Sequence, residues 1–180
     1  MDDLLADYRR VLERVDAHAA RLEAAWPREF ACGPGCSGCC QRSLTVFPVE
    51  AASIRAFLAS GGALPPSEGE PFVSPLVVLE PDEAEPCSFL DGAGRCRIFP
   101  VRPVICRSHG LPLAVPDGAG GLRGDCCPLN FREGMGNLPS SDFLSLVAIN
   151  TLLAAVDARY VAEGGGGAER VALSTLAEGL

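Results

Sequence analysis

The stretch Cys32-Gly33-Pro34-Gly35-Cys36-Ser37-Gly38-Cys39-Cys40 decides how this chain is read. Four thiols fall within nine residues, spaced C-x3-C-x2-C-C. The glycines and the proline between them rule out regular helix or strand and let the backbone wrap closely, so the thiols can converge on one point. Further along come Cys87, Cys96 and Cys106, then the pair Cys126-Cys127, nine cysteines in all. A single buried cysteine is commonly just a small hydrophobe. Nine, in three groups, point to metal ligation: Cys32, Cys36, Cys39, Cys40, Cys87, Cys96, Cys106, Cys126 and Cys127 are the expected ligands. Cys36, Cys39, Cys40, Cys87, Cys96 and Cys106 are the strongest of these, followed by Cys32. Cys126 and Cys127 are the two best suited to a plain packing role.

The surroundings support metal over disulfide. The start, Met1-Asp2-Asp3-Leu4-Leu5, lacks the basic residues and apolar run of an export signal. No stretch has the roughly 18 uninterrupted apolar residues of a membrane span. A cytoplasmic location, where thiols stay reduced, is the expectation. Net charge is -8, and all 15 basic residues are arginine. That balance disfavours nucleic acid as a partner. Arg95, Arg97, Arg102 and Arg107 sit among the cysteines, placed to offset thiolate charge or to pair with carboxylates. For Arg102 and Arg107, pinning the loop and pairing with carboxylates is the stronger expectation, over neutralising the centre or binding an anion. His109 is a weaker candidate ligand, and His18 reads as a surface or packing residue.

Outside the cysteines, periodicity predicts helices over residues 2–25 and 141–162. Asp2 or Asp3 is placed to cap the first, and Ser140, Ser141 or Asp142 the second. Trp26-Pro27 ends the first helix, and Pro48 begins another that runs to Gly61-Gly62. Residues 76–80 read as a strand. Cys87–Leu90 and Arg95–Phe99 read as a hairpin about Asp91-Gly92-Ala93-Gly94, and residues 111–122 as a second hairpin about Asp117-Gly118. Pro100–Arg107 suggests one helical turn. Gly164–Gly167 is a break before a short helix over 168–178. The expected fold is α+β: a small cysteine-rich domain, 1–162, with short β-hairpins packed against N- and C-terminal helices. Residues 163–180 form a Gly-rich linker and a terminal helix.

Cys32, Cys36, Cys39 and Cys40, with Cys87-Ser88-Phe89-Leu90, Gly94-Arg95-Cys96, Ile98-Phe99, Arg102-Pro103 and Cys106-Arg107, resemble the CxxCxxCC cysteine-cluster proteins of the YkgJ type. The core of the resemblance spans residues 30–110. One departure is the first gap, which holds three residues instead of two. The resemblance implies chelation of zinc or iron, without a reaction. A similar domain in flagellin lysine methylases implies an iron–sulfur cluster. The primary expectation is a non-catalytic metal-binding module holding zinc or an iron–sulfur cluster. The alternative is an iron–sulfur enzyme or enzyme subunit in redox or protein-methylation chemistry. C-x3-C-x2-C also occurs in radical S-adenosylmethionine enzymes, but the strand–helix repeats that should surround it are lacking.

Overall fold

The computed structural model describes residues 4–32, 36–40, 44–65 and 86–178. The strand expected at 76–80 and the Asp2 or Asp3 cap lie outside them. The fold is α+β, with four α-helices and five short strands among the described residues. It sorts into two compact units, each assembled from two stretches of chain: Met1–Cys32 with Val104–Arg159, and Gly33–Pro103 with Tyr160–Leu180.

The first unit is built on helix α1, Ala6–Ala25. Its 3.6-residue period carries Tyr8, Val11, Leu12, Val15 and Leu22 along one face, and all five are buried. It stops where expected, with the Trp26 amide donating to the Leu22 carbonyl at 2.8 Å. Helix α3, Val104–Ser108, packs against α1. Strands β2, Leu113–Pro116, and β3, Leu122–Asp125, form the antiparallel hairpin about Asp117-Gly118. Asp117 Oδ1 accepts the Ala119 and Gly121 amides, both at 2.8 Å, an Asx-type turn that holds the reversal.

The next helix corrects the sequence reading. Helix α4 covers Leu146–Ala162, starting five residues later than the expected 141. Leu144 and Ser145 instead form β4, which pairs in parallel with β2, Leu144 against Leu113 and Ser145 against Ala114. A partner strand some thirty residues away leaves no trace in local periodicity. The cap moves too: Ser145 Oγ accepts the Ala148 amide at 3.2 Å.

Asp142, expected among the caps, ties α1 to the turn before β4. Its carboxylate accepts from Arg21 Nη1 at 2.6 Å and from Trp26 Nε1 at 2.8 Å. The Asp142 carbonyl lies 3.2 Å from His18 Nε2, which makes His18 a packing residue. The Arg21 and Trp26 hydrogen bonds hold the Asp142 carboxyl below the usual carboxylate range. Burial, and then the Arg21 charge, hold His18 below its ordinary 6.5. Both groups bind protons more readily unfolded, so both stabilise the fold less as pH falls. The His18 contribution is expected to be lost below about pH 6.5, and the Asp142 contribution only from about pH 4 downward. Asp142→Asn is expected to shrink the lower phase, to which Asp117 also contributes, and to keep the upper one. Urea midpoints against pH for the chelator-treated, reduced protein check this. An unchanged lower phase in the variant would count against it.

The second unit has its own core of Val46, Ala51, Ile54, Phe89, Ile98, Leu173 and Leu176. Strand β1, Thr45–Val46, pairs antiparallel with β5, Val171–Ala172. Helix α2, Pro48–Ala59, starts at the proline as expected, and the Phe47 amide donates back to Glu50 Oε2 at 3.0 Å. The hairpin expected at 87–99 is reduced to one bridge, Leu90 with Cys96. Asp91 shapes the reversal: its Oδ1 takes the Ala93 and Arg95 amides, each at 2.9 Å, closing a tight turn. The single helical turn expected at Pro100–Arg107 is two short pieces, a 3-10 turn at Phe99–Val101 and α3. The terminal helix expected at 168–178 is β5 followed by the 3-10 turn Leu173–Ala177. Leu173 and Leu176 bury themselves in the core from that turn, which fixes it more strongly than α-helical propensity would.

Candidate metal centre

None of the nine cysteines is in a disulfide. The two units divide them: Cys36, Cys39, Cys40, Cys87 and Cys96 fall in the second, and Cys32, Cys106, Cys126 and Cys127 in the first.

In the second unit, Cys39 and Cys40 lie on a 3-10 turn, Gly38–Cys40. The two sulfurs stand 4.0 Å apart. The Cys87 amide donates to the Cys40 carbonyl at 2.6 Å, joining this loop to the Cys87–Leu90 segment. Across the Asp91 turn, Cys96 is bridged to Leu90. Cys87 and Cys96 are half-buried and rest on the unit's apolar core. Burial pushes the Cys87 thiol up, and the nearby Cys39 adds to the rise. Burial also pushes Cys96 up, with Cys87 and Cys39 adding and Arg102 opposing. These influences mark Cys39, Cys87 and Cys96 as neighbours, and Cys40 adjoins them through Cys39. Arg102 is the cation closest in effect to them, and its guanidinium lies over the Phe99 ring at 3.8 Å. Cys36 is half-buried in the same loop.

In the first unit, Cys32 lies just beyond the end of α1, Cys106 is in α3, and Cys126-Cys127 follows β3. A residue the sequence reading passed over joins these segments. Asn130 is 3% exposed. Its Oδ1 accepts the Ala31 amide at 2.8 Å, and its Nδ2 donates to the Gly110 carbonyl at 2.7 Å and to Cys32 Sγ at 3.4 Å. The Asn130 amide donates to the Cys127 carbonyl at 2.9 Å. Cys126 Sγ donates to the same Gly110 carbonyl at 3.2 Å. Burial, with the Cys127, Cys32 and Asp125 charges close by, pushes the Cys126 thiol up to about 12. Only the run Cys126-Cys127-Pro128-Leu129-Asn130, a polar residue beside a cysteine pair, could have singled Asn130 out beforehand.

Arg107 settles the expectation about arginine and carboxylate. Its Nη1 reaches both Asp16 oxygens, at 2.7 and 2.5 Å, and so pins α3 to α1. His109 is exposed, with its backbone amide donating to the Ile105 carbonyl at 3.1 Å.

Among the described residues no three ligand-type side chains already converge on one metal-binding point. The donor chemistry suits a thiophilic cation, and the spacing is close. Sulfurs on a tetrahedral zinc stand about 3.8 Å apart, given a zinc–sulfur bond of about 2.3 Å. The 4.0 Å between Cys39 and Cys40 is near that edge.

Residues 31–117 of this small α+β chain match the family model CxxCxxCC, described as "Putative zinc- or iron-chelating domain". No curated protein matches the chain, and no solved structure does. Cys126, Cys127 and Asn130 lie beyond the matched segment. Among the described residues no helix is long and apolar enough to cross a membrane.

Proposed function

We propose that this protein is a non-catalytic metal-binding module of the reducing cytoplasm, whose second unit holds one zinc ion through Cys39, Cys40, Cys87 and Cys96. The observation that carries this reading is the 4.0 Å separation of the Cys39 and Cys40 sulfurs within a four-thiol neighbourhood on the family segment. That separation favours one shared tetrahedral ion. In a cubane each thiolate binds its own iron, so the ligand sulfurs stand further apart. Cys36 is the alternate thiol of the same loop. When bound, the ion supplies a cross-link between the 36–40 loop and the Cys87–Cys96 turn, with Arg102 offsetting the surplus negative charge of four thiolates.

The test is elemental analysis of protein purified without oxygen and without affinity-tag metal. The expected result is zinc in stoichiometric amount, a colourless protein and no redox-active absorption. Iron together with acid-labile sulfide would replace this reading with an iron–sulfur centre, and would bring redox or methylation chemistry forward.

A further inference from the structure

The three-stranded sheet of the first unit runs β3-β2-β4, which leaves β3 at its edge. All four β3 residues, Leu122–Asp125, are exposed. Among the described residues no backbone group beyond β2 bonds to them. An edge of this kind is a template for a further strand. The two-residue period of a strand sets Arg123 and Asp125 on one face and Leu122 and Gly124 on the other. Gly124 faces inward: a Cβ built there would stand 3.0 Å from the Phe143 ring and 3.3 Å from Met135 Cε. Arg123 and Asp125 keep 59% and 50% of their side-chain surface open, with Arg123 Nη2 3.5 Å from Asp125 Oδ2. Asp125 Oδ1 accepts the Cys126 amide at 3.0 Å, which holds the carboxylate in place. Charged residues on an edge usually keep strands apart. The order of these two charges does the reverse for one partner, a second copy of the same strand.

We propose that β3 is the contact through which two copies of this chain associate, paired antiparallel across a two-fold axis at Gly124. In that register Arg123 of each copy stands opposite Asp125 of the other. The four charges then form a square of alternating sign, with like charges only on the diagonals. A two-fold contact must be complementary to itself, and Arg123-Gly124-Asp125 run against its own reverse meets that condition. A register shifted by one residue loses both charge pairs. Gly124 brings no side chain to the axis, so the two backbones approach without obstruction. Leu122, 65% exposed, comes to lie diagonal to the glycine of the other copy, which leaves it room to gain cover. Four residues a side make a small contact, so the association is reversible and grows with concentration.

The experiment is sedimentation velocity on the reduced full chain over a range of concentrations. Wild type is expected to shift reversibly from one chain towards two. Arg123→Asp and Asp125→Arg, each alone, set like charges opposite one another and are expected to weaken self-association about tenfold or more. An equimolar mixture of the two variants is expected to restore it, because the acidic edge of one then meets the basic edge of the other. Recovery in the mixture cannot come from misfolded variants, so it isolates the edge contact. A wild type that stays monomeric at every concentration would overturn the proposal. So would single variants that dimerise as wild type does, or a mixture that stays monomeric.

Discussion

Phe89→Ala is expected to destabilise the second unit by about 3–5 kcal/mol, the usual cost of emptying a buried phenylalanine site. Phe89 is fully buried among Ile54, Ile98, Leu173 and Leu176, and lies two residues after Cys87. Its carbonyl takes the Arg97 amide at 2.9 Å, so ring and backbone together hold the turn between Cys87 and Cys96. Domains are commonly stable by only about 5–15 kcal/mol, so a loss of this size leaves the unit marginal. Zinc should recover part of it, because a ligand bound only by the folded state contributes about 2.7 kcal/mol at a hundredfold excess over its dissociation constant. Hydrogen exchange at the α2 amides, with and without zinc, reads this unit directly. A change under about 1 kcal/mol, or a variant that zinc leaves unaffected, would mean that core and thiols are not coupled in this way.

Asn130→Ala is expected to cost the first unit about 2–4 kcal/mol. The substitution removes the partners of the Ala31 amide and of one lone pair on the buried Gly110 carbonyl. It also removes the side-chain contact to Cys32 Sγ, while the backbone amide of residue 130 keeps its bond to the Cys127 carbonyl. Trp26, the chain's single tryptophan, lies in this unit and makes its unfolding visible by fluorescence. The urea midpoint should fall while α2 exchange in the other unit changes far less. Equal loss in both would show that Asn130 supports more than its own unit.

Much of the helical framework was legible because its causes are local. The apolar stripe of α1, the Trp26-Pro27 stop and Pro48 at the head of α2 each act within a turn or two. The Asp117-Gly118 hairpin was legible for the same reason. What local reading missed depends on distant partners. Leu144 and Ser145 are strand because β2 is beside them, and Leu173 and Leu176 leave the α-helix to reach a core built a hundred residues earlier. The metal centre divides likewise. That cysteines dominate was plain from their number and spacing. Cys32 and Cys36 are four residues apart and read as one motif, yet they belong to different units. Asn130 carries no metal-ligand signature, since its part is to hydrogen-bond a sulfur.

The interleaved connectivity of the two units bears on how the protein is made. Each unit joins an early stretch of chain to a late one. During synthesis, at about 5–20 residues per second, α1 and the first cysteine loop leave the ribosome well before their partners exist. The first unit is complete only after Arg159 emerges, and the second only after β5 and the final 3-10 turn. Nascent thiols at 32–40 therefore spend several seconds exposed and uncommitted. A contiguous fragment cut to the family segment would hold them in that unfinished state, without α1, Asn130 or the Leu173–Leu176 cover. Metal acquisition by the second unit is then expected to follow the emergence of β5 and the Leu173–Ala177 turn.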